Sequence, residues 1–251
     1  MKVIFEVKFY MFSTLDLDEN ERIPIVKTSI YSLYIKRLLD ILLSGCALVV
    51  LLPILLILAI SELIFHGRPI LYASQRPGLN GDIFDIYKFR SMTNETDENG
   101  QLLAEELRLT KFGIFLRRTS LDELPELWSI FTGKMSIVGP RPLLTEYLDL
   151  YSPRHKMRHL VRPGLALMRI KGNKNEEIPD RWTWRDQFEN DICYIENVSF
   201  ILDVKMILAI AAEVVIGSPY RTNDTRVKFD GNNLDDTRSK QEALQEALKI
   251  N

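Results

Sequence analysis

Arg117-Arg118-Thr119-Ser120-Leu121-Asp122-Glu123-Leu124-Pro125-Glu126-Leu127-Trp128 sets two adjacent acids just behind a pair of arginines and just ahead of a proline. Downstream, Leu124, Leu127, Trp128 and Phe131 recur at i, i+3, i+4 and i+7, the stripe of a helix with one face on a core, and Gly133 is a C′ stop. A short helix is therefore expected to begin near Asp122. One reading is structural, a capping box with Ser120 as N-cap and Glu123 reaching back from N3. That register places Pro125 where its ring clashes with the carbonyl four residues back, at roughly 3 kcal/mol. With Asp122 as N-cap, Pro125 falls at N3, where no intrahelical N–H bond is lost, and this register is preferred. Asp122 and Glu123 then lie at the positive end of the helix dipole near Arg117 and Arg118, both of which favour an ionised carboxylate. An ionised Asp beside cations suits a nucleophile that attacks phosphorus, or a magnesium ligand. From the local pattern, capping and chemistry both stand.

The chain has 251 residues, 46% hydrophobic and 26% charged, with net charge −2, which suits one domain with a sizeable core, alone or with a membrane segment. The balance gives no drive toward nucleic acid, and no aromatic-plus-basic RNA-binding motif is present. Cys46 and Cys193 share no metal spacing and no CxxC, so neither a disulfide framework nor a zinc site is implied. Residues 1–33 form an N-terminal extension without the pattern of a secretory signal peptide.

No charge occurs from Ile41 to Ser61, 21 positions rich in Leu, Ile and Val, long enough to span a bilayer. Pro53 at its centre opposes a simple span, because a break there leaves two arms of about 18 Å, short of a hydrocarbon core of about 30 Å. Basic residues flank both ends, Lys36-Arg37 before and Arg68 with Arg76 after, as when both ends stay cytoplasmic. A full span and a re-entrant helix-break-helix both fit. Lys36, Arg37 and Asp40 lie within one turn and are expected to form a local i,i+3 or i,i+4 pair at the interface.

Alternating apolar residues flank Arg76-Pro77-Gly78-Leu79-Asn80-Gly81, and the Asn-Gly step predicts a hairpin. It ends by presenting Lys88 and Arg90 at alternate positions, as a solvated edge or as a phosphate clamp. Farther on, Pro140 and Pro142 stiffen the backbone around Arg141, which suits a guanidinium that grips a phosphate or carboxylate. Residues 141–174 hold eight Lys/Arg against two acids, a basic surface suited to anionic headgroups. Residues 198–216 read as a helix on the interface or packed on the core, since Asp203, Lys205 and Glu213 are too many charges for a span. Residues 221–251 read as a flexible polar tail.

In order, the apolar run with Pro53, Tyr87-Lys-Phe-Arg-Ser-Met92, Arg117 to Pro125, Gly133-Lys-Met-Ser-Ile-Val-Gly-Pro-Arg-Pro-Leu143 and Arg162-Pro-Gly164 closely resemble the bacterial sugar transferases, the monotopic phosphoglycosyl transferases. The resemblance covers about residues 34–217. It implies a helix-rich α/β fold: a small cytosolic catalytic domain over residues 67–220, a re-entrant membrane helix over 34–66 broken at Pro53, and interfacial helices. It implies transfer of a phosphosugar from a UDP-sugar to undecaprenyl phosphate with release of UMP, at the cytoplasmic face of the bacterial inner membrane. Asp122 would be the nucleophile, Glu123 its partner, both at a Mg2+ ion, with Lys88, Arg90, Arg117 and Arg141 on substrate phosphate. Membrane lipids are expected partners, nucleic acid is not, and a homodimer is left open. Two departures stand out: Leu52 precedes Pro53 where a serine is common, and 165–175 differs from the usual pattern, so the sugar is left unassigned. A membrane-anchored magnesium-dependent phosphohydrolase and a non-catalytic scaffold of a glycan-assembly complex are the competing functions.

Overall fold

The computed structural model describes residues 24–168, 170, 183–216, 226–239 and 242, with the backbone alone at 106 and 213–216. Expectations for residues 1–23, for most of the altered segment after 168 and for 217–225 fall outside the described residues. The apolar run folds as two helices. A π-helical turn, Tyr31–Ile35, leads into α1 (Lys36–Val50), and α2 (Leu52–Phe65) follows at an angle of 62°. The break is at Leu51 (φ −87°, ψ 0°), two residues ahead of the proline. Pro53 occupies the first turn of α2, where a missing N–H costs nothing. In a continuous helix its ring would meet the carbonyl of Val49, so the chain turns before reaching it. Among the described residues no single helix is long and apolar enough to cross a membrane, whereas the bent pair together meets that length and composition.

The polar residues at the start of α1 do not pair locally as expected; each is an anchor to the domain. Lys36 Nζ lies 2.6 Å from Asp203 Oδ2. Arg37 donates to the carbonyls of Ile130 and Phe131 at 2.6 and 2.8 Å. Buried Asp40 accepts the N–H of Ile137 at 3.0 Å. The end of α2 is tied down as well. Fully buried Glu62 meets His66 Nδ1 at 2.9 Å, and His66 Nε2 meets Thr110 Oγ1 at 2.8 Å. Both arms of the bent pair therefore return to one body.

That body is helix-rich α/β with two small sheets. Strands β1 (Leu71–Pro77) and β2 (Ile83–Phe89) pair antiparallel, Tyr72 opposite Lys88 and Arg76 opposite Phe84. Asn80 turns the chain in the left-handed region, at φ 57°, as the Asn-Gly signal predicts. Phe84 and Ile86 face inward onto Ile130 and Met135. Helix α3 (Lys111–Thr119) starts at Thr110, whose hydroxyl accepts from Gly113 N, and it packs closely on the chain end after β2: a Cβ on Gly113 would lie 1.8 Å from the Ser91 carbonyl oxygen. After α4 (Glu126–Thr132), β3 (Ser136–Val138) and β4 (Gly164–Ala166) pair in parallel.

Helices α5 (Trp184–Asn197) and α6 (Phe200–Ile216) complete the core. Thr183 and Asp186 form a capping box that starts α5. Asp203 is buried and gathers the hydroxyls of Tyr31 and Tyr194 with Lys36, so α6 packs on the core by its charged position. Residues 226–239, read from sequence as part of a flexible tail, are packed. Phe229 is 2% exposed among Tyr147, Tyr151, Trp184 and Phe188, and Trp184 Nε1 donates to Val227 O at 2.8 Å. One buried phenylalanine in a polar stretch outweighs its composition.

Candidate active site

Helix α3 ends with Ser120 in the left-handed region (φ 55°), and a 3₁₀ turn, Leu121–Glu123, carries the two acids. Helix α4 starts only at Glu126, with Pro125 as its N-cap. The expected register, with Asp122 as N-cap, is thus displaced. The N–H of Leu124 reaches Leu121 O at 3.3 Å and that of Leu127 reaches Leu124 O at 3.1 Å, so the chain passes the proline in three-residue turns. Pro125 has no N–H to give, and α geometry resumes after it. Asp122 and Glu123 consequently stand on the corner between two helices.

Three elements converge on that corner. Lys88, from β2, lies 2.7 Å from Glu123 Oε1 and 3.1 Å from Glu126 Oε1. Arg141, from the segment after β3, binds the same Glu123 oxygen through Nη2. Arg117 donates through Nε to Ser91 Oγ at 2.8 Å and lends positive potential to Asp122. Arg90 is engaged elsewhere: it is buried and donates to the carbonyls of His66 and Pro69 at 3.3 and 3.1 Å, closing the loop after α2. Of the four cations expected at phosphate, the fold gathers Lys88, Arg117 and Arg141 around the acids, and binds Arg90 to backbone.

The two carboxyls are driven in opposite directions. Burial pushes Glu123 up, but Arg141 and Lys88 outweigh it and hold the group at about 2. Burial pushes Asp122 up, the charge of Glu123 adds to this, and Lys88 and Arg117 only partly oppose it. The expectation that dipole and arginines dominate at Asp122 is therefore corrected: partial burial beside a fixed anion wins. Asp122 makes no ion pair among the described residues, which leaves its oxygens available.

Residues 31–217 match the family described as Bacterial sugar transferase. The chain belongs to that family. It is 40% identical to the uncharacterized sugar transferase EpsL of Bacillus subtilis (strain 168), over 66% of this chain and 80% of the relative. It is 34% identical to the UDP-glucose:undecaprenyl-phosphate glucose-1-phosphate transferase of Xanthomonas campestris pv. campestris, over 74% of this chain but only 40% of that protein. The exopolysaccharide production protein PSS of Rhizobium leguminosarum bv. phaseoli is also 34% identical, over 75% of this chain and 99% of its own.

In this sugar transferase, the fit of a magnesium ion rests on the free oxygens of the acids. Glu123 gives Oε1 to Lys88 and Arg141, so its other oxygen and the carboxylate of Asp122 are the hard donors at hand. No group of three or more metal-binding side chains occurs among the described residues. Two carboxylates with the balance supplied by substrate phosphate and water is an ordinary arrangement for Mg2+, so the residues fit it.

Sequence reasoning missed Glu126 and Arg76. Glu126 is 4% exposed and braces Lys88 from below, with burial pushing its own carboxyl up. The misplaced helix start hid it, since the register of α4 decides which acid faces β2. Arg76 lies on the same face of the hairpin as Lys88, near enough to feel the charges of Arg141 and Glu126. The period of two along β1 and β2 carries that signal.

Proposed function

We infer that this sugar transferase moves a phosphosugar from a UDP-sugar to undecaprenyl phosphate through an aspartyl intermediate. The observation that carries this is the split dyad: Glu123 is locked by two cations, while Asp122 beside it stays unpaired. An oxygen of Asp122 attacks the phosphorus that bears the sugar, forming an O–P bond as the bond to the bridging diphosphate oxygen breaks and UMP leaves. An oxygen of undecaprenyl phosphate then attacks the same phosphorus, the bond to Asp122 breaks, and the carboxylate is regenerated. Lys88, Arg141 and Arg117 surround the transferring group with positive charge, which is where such a loose transition state needs it. A Mg2+ ion held by Asp122 and the free oxygen of Glu123 would neutralise diphosphate charge and position it. The name of the Xanthomonas campestris relative, which specifies undecaprenyl phosphate, supports this reading.

The same reading places the bent helix pair in one leaflet of the inner membrane, with the catalytic domain of residues 67–220 on the cytoplasmic face. Val49, Val50, Ile57, Ile60 and Ile64 are each more than half exposed, too much apolar surface on adjacent helices for contact with water. Exposed Phe115, Trp128 and Ile201 on α3, α4 and α6 extend the apolar surface. The deciding experiment is UMP release from UDP-sugars without acceptor. A burst of one UMP per enzyme, absent in Asp122→Asn, is expected; release that needs acceptor from the first turnover would defeat the covalent route. Phosphate or free sugar phosphate as product would favour a hydrolase.

A further inference from the structure

Arg158 and Asp191 form an ion pair at 2.7 Å with side-chain exposures of 2% and 0%. The guanidinium lies against the rings of Tyr151 and Phe188, 5.6 and 5.8 Å from their centroids, and Nη1 donates to Tyr151 OH at 3.0 Å. A pair this deep is a poor source of stability, because the desolvation of both charges offsets their attraction. Its geometry has another outlet. Nη2, the atom bound to Asp191, also donates to the backbone carbonyl of Arg141 at 2.7 Å. The chain before Arg141 is held to β4, where Gly139 N–H donates to Ala166 O at 3.3 Å and Pro140 O accepts from Gly164 N–H at 3.0 Å, and Pro142 has no N–H, so the Arg158 contact is the grip on the Arg141 peptide itself. The side chain of that residue is half exposed, yet it ends on Glu123.

We propose that Arg158, oriented by Asp191 and Tyr151, is a positioning residue of the transferase: it clamps the Arg141 carbonyl and so aims the Arg141 guanidinium at Glu123. This goes beyond the catalytic dyad and rests on the reading of Arg141 as part of the transfer site. The planar fork of arginine suits it to three partners lying in different directions: a carboxylate, a hydroxyl and a carbonyl. Lysine at this position keeps the charge but lacks the fork. Arg158 touches neither acid of the dyad, so its effect must pass through Arg141.

Two variants test this. Arg158→Met with Asp191→Leu removes both buried charges together, which avoids an orphaned ion and favours a folded protein. Arg158→Lys keeps one charge and removes the fork. Each is made alone and in an Arg141→Ala background, with UMP release read as kcat and KM. The expected result is a fall in kcat of roughly ten-fold or more in each variant, and little further loss once Arg141 is absent, a non-additive cycle. Additive losses, or full kcat in either folded variant, would overturn the proposal. A crystal structure of the double variant supplies a readout that does not depend on the reaction. An Arg141 guanidinium swung away from Glu123 is expected, and one that remains there counts against positioning. Absence of turnover in the wild-type protein would strike the assigned reaction and leave this structural comparison standing.

Discussion

At the scale of single residues, Lys88 shows how position, more than type, makes a site. Its alternation with Arg90 along β2 was legible, but the two cations end in different places, because Arg90 lies past the strand end and is taken by the carbonyls of His66 and Pro69. Lys88 instead meets two acids, one of them the buried Glu126. Removing Lys88 strands that carboxylate in the interior. Lys88→Met is therefore expected to lose activity and about 2 kcal/mol of stability. Adding Glu126→Leu should return the stability and not the activity, since one of the two cations at Glu123 is still missing. Thermal melts alongside UMP release check this, and recovery of both together would show that Lys88 serves the fold alone. The acids Asp122 and Glu123 were visible in sequence by their neighbours. The opposite directions in which their pKa values are driven were not, because these depend on burial and on Arg141, which arrives from 18 residues away.

Among the elements, the bent pair of helices was the most legible, since length, apolarity and a central proline are all local signals. What sequence could not show is that both arms are anchored to the domain, as the partners of Lys36, Arg37 and Asp40 on α1 lie some 90 to 170 residues away and α2 is tied through His66 to Thr110, 44 residues on. Arg37 holds the C-terminal carbonyls of α4, so α1 braces the helix that follows the dyad. Pro53→Ala restores an N–H and removes the clash with Val49, which lets α1 and α2 fuse. A straight helix over residues 31–65 would be roughly 50 Å long and would carry Lys36 far from Asp203. The variant is expected to place residue 30 on the opposite side of the membrane in part of the population, with activity lowered in proportion. Site-specific labelling from each side measures it, and an unchanged pattern with unchanged activity would show that the anchors alone set the bend.

For the whole molecule, the fold class came with the family resemblance and the β1–β2 hairpin with local pattern, whereas the parallel pairing of β3 with β4, the aromatic core around Phe229 and the buried charges behind Arg141 came from neither. They join residues from distant parts of the chain, and their composition reads as surface. Much of the basic run after Arg141 is likewise turned inward: Arg158 onto Asp191, Arg154 onto Glu189 at 2.6 Å, and Arg162 onto the carbonyl of Gly133 at 3.0 Å. This inward charge gives the protein a testable response to acid. His159 is 7% exposed, its Nε2 makes no hydrogen bond among the described residues, and burial with the nearby charge of Arg158 lowers its pKa to about 3, against the weaker pull of the Gly78 backbone. Between pH 6.5 and 3 the unfolded chain therefore binds a proton that the folded protein refuses, and stability falls as pH drops through that window. Asp191, pushed up to about 6 by its burial, works in the other direction below that pH, so the wild-type profile alone mixes the two. The difference between wild type and His159→Gln isolates the histidine. Whatever the variant costs at pH 7 through altered packing, about 2–3 kcal/mol of it should be recovered by pH 4.5, because only the wild type has an imidazole to protonate on unfolding. Melting followed by tryptophan fluorescence at the two pH values reads this directly, and an equal loss of stability in both proteins would mean that His159 already takes up its proton in the folded state.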